Sequence, residues 1–402
     1  MIALDDRVSD PVGSGWVLAG ALAFFMAGCA MLVFGGASLG ALHAFAAFIV
    51  LAVVAALNQL LPVLTHAPVA RPQAVLAAAG GFAVGFVLLI AGFFGAPTFA
   101  SAGLVLSLAA VGWVLWNVAR LWAGKAEMQT RTLVACALAA FALAAGLGGW
   151  MACTLSGACA APIGALVPLH ATLAIGGFAS LLVVAVSYRF VPMFAVAHGD
   201  KYGRRAMQWV AVASVALVAM SLRSPWALRA GLVGMLFAAT GIAASHRATL
   251  ATRLRKRIDV SLWYGSVGWI LGMLALVTAI AATWTDALQV SWVVLAVMGW
   301  ISITIFGYAF KIAGFLAWQV AKERDSVSPL PPLSTAVNLP LAYTALALLV
   351  CGSLLSAALN ATFPEYVRVG FGIYAVGGAG ALAALVRLTT LYVLRKQPDG
   401  TI

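Results

Sequence analysis

Leu169-His170-Ala171, then Gly177-Phe178-Ala179-Ser180, then Tyr188-Arg189-Phe190-Val191-Pro192 is the run of lettering that decides the fold. It recurs 122 positions on as Gly299-Trp300-Ile301-Ser302, Phe310-Lys311 and Gly314. Leu42-His43-Ala44 and Pro62 repeat its opening and its close, with about three fewer residues between them. A motif carried by the second, sixth and tenth of twelve apolar segments means three copies of a four-helix unit. The units run over about 15–122, 132–245 and 260–394 of one transmembrane domain, residues 1–402.

Working outward, the chain is 64% hydrophobic and 8% charged over 402 residues, with a mean hydropathy of +1.06. Too little polar surface exists to cover a soluble globule, so the composition predicts an all-α polytopic membrane protein. Segments long enough to cross the bilayer as helices, roughly 20 residues each, fall at about 15–37, 40–64, 73–95, 98–122, 132–154, 162–194, 206–222, 227–245, 260–283, 288–317, 337–359 and 366–394. Asp5, Asp6 and Asp10 precede the first where a signal peptide would carry bases, so it reads as a retained span.

Alternating the loops inside and outside leaves only Arg223, Arg229 and Arg368 outside, and 20 of the 23 basic residues inside. The positive-inside rule then places both termini in the cytoplasm, in a bacterial-type inner membrane. This asymmetry accounts for the net charge of +12. The partner it implies is the lipid bilayer, with the Arg253-to-Arg257 cluster facing headgroups, and not nucleic acid. Pro329, Pro331 and Pro332 hold the longest polar connection extended. Glycines inside spans (Gly80, Gly81 and Gly85; Gly377, Gly378 and Gly380) read as tight helix packing. Trp113, Trp116, Trp122, Trp226, Trp284 and Trp318 read as an interfacial belt. Cys29, Cys136 and Cys351 are packing residues inside spans. Cys153 and Cys159 bracket an outer loop, where a disulfide and two free thiols are both open.

All eleven acidic residues fall in loops or at span ends, which disfavours a proton pump or carboxylate-coupled transporter. Of five histidines, His66, His198 and His246 sit at cytoplasmic span ends and read as solvated. His43 and His170 lie inside spans, both at the start of the repeated lettering and both in the outer half. A buried imidazole must be hydrogen-bonded or must ligate something. One reading is a bond to a neighbouring helix; the other is metal or haem ligation, for which neutral imidazole is the common donor. Arg189 and Lys311 occupy equivalent places near the cytoplasmic ends, with Asn58-Gln59 at the similar point of the first unit. They either snorkel to water or hold an anionic or quinone headgroup.

Twelve spans in three arcs, with histidine near the outer start of the second and sixth, resemble subunit I of the haem-copper oxidases. The run His170 to Pro192 also looks like the small relatives of that superfamily, including the NnrS family of nitric-oxide-response membrane proteins. On that resemblance His43 matches a low-spin haem b ligand, and His170 lies in the span that contributes a copper ligand. The departures are large. Trp292 stands at the position equivalent to His170, no histidine occurs from Asp286 to Gln319, and the seventh span lacks the pair that completes the copper site. The resemblance therefore implies a member repurposed away from oxygen reduction, without copper, whose cofactor-binding residues are His43 and His170. Its partners would be other respiratory or assembly membrane proteins. A non-redox transporter or an assembly scaffold on the same frame is the competing expectation, favoured by Trp292 and by the missing carboxylates.

Overall fold

The computed structural model describes residues 11–65, 72–95, 97–121, 128–155, 157–197, 204–222, 224–254, 257–324, 330 and 336–393. Asp5, Asp6, Asp10, His66, His198, Trp122, Arg223, Arg255, Lys256, Pro329, Pro331 and Pro332 lie outside the described residues, as does the side chain of Pro62.

Every element among the described residues is helical. The helices are α1 Pro11–Gly35, α2 Leu39–Thr65, α3 Pro72–Phe93, α4 Pro97–Leu121, α5 Met128–Leu155, α6 Ile163–Thr172, α7 Leu181–Ala195, α8 Arg204–Ala219, α9 Pro225–Ala251, α10 Val260–Ala282, α11 Gln289–Val294, α12 Ile303–Arg324, α13 Leu339–Thr362 and α14 Val367–Val393. Two eight-residue π-helical segments, Leu173–Ser180 and Leu295–Ser302, fuse α6 to α7 and α11 to α12 into single long rods. Among the described residues ten helices are long and apolar enough to cross a membrane. Thr98–Trp113 in α4 and Met207–Ala219 in α8 are shorter apolar stretches. Large apolar side chains face outward around the bundle, Phe34 at 80% exposure and Trp16 at 69%, as a surface solvated by lipid requires. Trp116, Trp226 and Trp284 are also exposed.

The two π segments begin 122 residues apart, at Leu173 and Leu295, and end on Ser180 and Ser302. A π turn bonds i to i+5 and leaves carbonyls short of partners, which hydrocarbon cannot supply. In both segments the terminal serine donates to the carbonyl five residues back: Ser180 to Ile175 at 2.8 Å and Ser302 to Val297 at 2.7 Å. In both, the glycine of the repeated lettering lets the preceding span cross closely. A Cβ on Gly177 would sit 2.6 Å from Ala140 of α5, and one on Gly299 3.2 Å from Leu271 of α10. Tyr374 of α14 donates to a further π-segment carbonyl, Met298 O, at 3.1 Å.

The three rods that share the lettering are also the innermost. In their most apolar stretches 89% (Asp286–Glu323), 67% (Leu39–Gln59) and 61% (Ile163–Ala195) of residues are buried, against 28–44% for the other seven spans. All three wall one central cavity of about 70 Å³, with Ser14 and Leu18 of α1 at its side. Phe25 of α1 packs edge-on against Phe48 of α2 and Phe306 of α12, at 5.1 and 4.9 Å between ring centroids. The outer helices pair as hairpins α3/α4, α8/α9 and α13/α14, and α14 packs on α1 to close the ring.

Candidate functional site

His43 lies one turn into α2. Its Nδ1 meets the carbonyl of Leu39 at 2.8 Å, and its ring packs against Phe93 and Phe86 of α3 at 4.8 and 6.5 Å. His170 lies in α6, and its Nδ1 meets the carbonyl of Ala144 on α5 at 2.8 Å. Gly148, one turn on from Ala144, makes that contact feasible, since a Cβ there would come within 3.1 Å of the His170 Cε1. A carbonyl only accepts, so Nδ1 carries the proton in both rings and Nε2 keeps a bare lone pair. Neither Nε2 has a hydrogen-bond partner among the described residues. The two rings stand on different elements, α2 and α6.

Directly inward lies an apolar cavity of about 30 Å³, walled by Val50 and Val54 of α2, Phe82 of α3, Phe141 of α5 and Phe178 of the first π segment. Val50 is seven residues from His43 and Phe178 eight from His170, so the imidazoles stand about 10 Å outward of it. The candidate site is therefore two imidazoles with Nδ1 fixed, outward of an aromatic-walled gap that, at about 30 Å³, is far smaller than a macrocycle. Among the described residues no cluster of three or more His, Cys, Asp or Glu side chains exists, so the donor set is these two rings. His170 makes the bond to a neighbouring helix that the sequence allowed, through Ala144 of α5, whereas His43 bonds to a carbonyl of its own helix. The donor chemistry fits haem iron, because Nδ1–H on a carbonyl is the outer-shell bond that fixes an axial histidine.

The residues toward the opposite end of the rods are committed elsewhere. Lys311 pairs with Asp259 at 2.5 Å, and Asp259 also caps α10 by accepting from Ser261 N at 3.1 Å. Asn58 and Gln59 are buried and both donate to Ser14 of α1, at 2.9 and 2.7 Å, while Ser187 of α7 shares a hydrogen bond with Tyr308 of α12. These bonds tie rods together. Arg253 Nη1 donates to the Leu250 carbonyl at 2.9 Å, closing the last turn of α9. Cys153 and Cys159 are bridged, with Cα atoms 5.6 Å apart.

His246 corrects the sequence reading. The drop in hydropathy at Ser245 marks a span end by composition, yet α9 continues to Ala251. His246 is therefore buried, edge-on to Tyr188 at 5.7 Å and to Trp269 at 5.2 Å. Trp269 in turn packs on Trp300 at 4.3 Å, and Trp300 Nε1 donates to Ser180 at 3.0 Å. This aromatic cluster joins the second and third groups of helices, and sequence reasoning missed it. Its only signal was a tryptophan at position 269, in mid-span and outside any interfacial belt. Compared with known proteins, the chain matches no family model and no curated protein.

Proposed function

We propose that this is a haem-b-binding integral membrane protein of respiratory or nitric-oxide-linked metabolism, related in architecture to haem-copper oxidase subunit I and NnrS-type proteins, and not a competent terminal oxidase. The observation that carries the reading is the pair His43 and His170, each with Nδ1 fixed on a carbonyl and Nε2 without a partner among the described residues. His43 and His170 would hold the iron. Bound haem supplies one-electron redox chemistry or a site for a diatomic gas. Haemochrome assay of the purified wild-type protein tests the reading, and a chain that stays haem-free after expression with added haem would overturn it.

Twelve spans in three four-helix repeats belong to the same proposal. It is supported by the matched π segments, by their matched serines and glycines, and by the shared burial of the second, sixth and tenth rods. Both termini lie in the cytoplasm of a bacterial-type inner membrane, on the charge asymmetry of 20 basic residues to three. Reporter fusions after Lys396 and within residues 154–161 should read inside and outside respectively; an outside C-terminus would refute the count.

Oxygen reduction is expected to be absent, because the tenth rod offers Trp292 where a further imidazole would have to stand. With a reduced donor, the extracted protein should consume oxygen far below the roughly 1 s⁻¹ of ordinary enzymes. One observation favours the second reading, a transporter or scaffold: the cavities of about 70 and 90 Å³ are apolar and neither touches His43 or His170.

A further inference from the structure

At the entry to α13 lies a cleft of about 390 Å³, several times the cavities of about 30, 70 and 90 Å³ between the rods. Its walls are the turn from Ala336 to Pro340 and, from α14, Arg387 and Leu391. The three cavities between the rods have no charged wall, whereas this cleft has a guanidinium. Clefts of about 300–1,000 Å³ are the size that takes a ligand.

The depth of the cleft follows from the packing of the α13/α14 hairpin. A Cβ on Gly352 would meet the backbone of Tyr374 at 2.5 Å, and one on Gly377 the backbone of Leu349 at 2.7 Å. That antiparallel register, carried to the end of the hairpin, sets Arg387 level with Leu339. Leu339 is the first residue of α13, where the span leaves water, so Arg387 stands at headgroup level. On the charge asymmetry this is the cytoplasmic leaflet, where anionic lipids collect.

Arg387 is exposed, and among the described residues no carboxylate pairs with it and no acceptor receives its guanidinium. A guanidinium is always charged and matches a phosphate with two parallel N–H bonds. From the cleft into the bilayer, Leu339, Pro340 and Tyr343 are exposed along α13, an uncharged track for acyl chains. No carboxylate lines the cleft, so the ammonium of a zwitterionic headgroup finds no partner there. We propose that this cleft is a saturable site for one anionic phospholipid, its phosphate accepting from Arg387. The site rests on the α13/α14 hairpin and does not depend on haem.

The test titrates the full-length, detergent-purified protein with dioctanoyl phosphatidylglycerol and counts bound lipid by native mass spectrometry. Dioctanoyl phosphatidylcholine and inorganic phosphate are the comparison probes. Wild type should retain one phosphatidylglycerol and prefer it to phosphatidylcholine roughly fivefold or more, the yield of one charge at a membrane surface. Arg387→Gln should erase that preference, and Arg387→Lys should keep most of it. Leu391→Glu should weaken lipid binding with the arginine still present, because a carboxylate one turn away would pair with it. Arg247→Gln, at an exposed arginine outside the cleft, and His43→Ala should leave lipid binding unchanged. Equal affinity for the two lipids, a preference that survives Arg387→Gln, or inorganic phosphate binding as tightly as the lipid would each overturn the inference.

Discussion

On the haem proposal, purified His43→Ala protein is expected to lack haem that the wild type carries, read as loss of the Soret band and of the pyridine haemochrome. His43 is the stronger ligand position because its Nδ1 is held by the carbonyl of its own helix, 2.8 Å away at Leu39. The ring is thus tied to its own helix, with Phe86 and Phe93 of α3 packed against it. His170 depends on a second helix, through Ala144 O at 2.8 Å and the space at Gly148. If both rings bind one iron, His170→Ala should convert a six-coordinate low-spin spectrum to a high-spin one with haem still present. If His43 acts alone, His170→Ala should leave the spectrum unchanged. Gly148→Val makes the intermediate case. It displaces the His170 ring without removing it, and displaced outer-shell support typically weakens ligation 10- to 100-fold. Haem content equal to wild type in both alanine variants would leave the two histidines as structural residues.

The frame was legible before the site was. Repeated lettering at Gly177 to Ser180 and Gly299 to Ser302 marks the segments where the backbone opens into a π turn, because those turns need a small residue at a crossing and a hydroxyl for the spare carbonyl. The three residues missing between His43 and Pro62 have the same origin. The second rod is a continuous α-helix, and a wider turn consumes more residues over the same length. What composition does not encode is which face of a uniformly apolar helix turns inward. His246 looked solvated because polar letters surround it, but α9 carries it past the point where hydropathy falls. The cavity of about 90 Å³ between the sixth and tenth rods was invisible for the same reason: apart from Thr172 and Ser180 its walls are apolar in sequence, and only three-dimensional packing brings them together. Lys311 reads as lying near a span end, yet its helix runs on to Arg324, and its partner Asp259 lies on a neighbouring helix, 52 positions earlier in the chain.

A single added side chain on α3 should separate packing from lipid exposure. Gly80 and Gly85 stand five residues apart on that helix, on different faces. At Gly85 a Cβ would fall 2.7 Å from the carbonyl of Gly103 and 2.9 Å from Ser107 N on α4. At Gly80 nothing lies within 4 Å. Backbone cannot yield as a flexible side chain does, so Gly85→Val must force α3 and α4 apart along their whole contact. That separation loses the van der Waals packing on which helix association in lipid depends and opens a void beside Ser107, which is buried. Overpacking a tight core ordinarily costs about 1–3 kcal/mol, and a backbone obstruction belongs at or beyond the top of that range. Gly85→Val is therefore expected to yield little monodisperse protein and a melting temperature well below wild type. Gly80→Val adds a branched apolar group toward lipid and should purify and melt as wild type does. Because α3 also carries Phe86 and Phe93 against His43, the less severe Gly85→Ala has a second readout. It should lower haem content before it lowers yield, since the ring that orients the ligand moves with the helix that was displaced. Equal melting temperatures for the two valine variants would mean that α3 and α4 are not in contact as described.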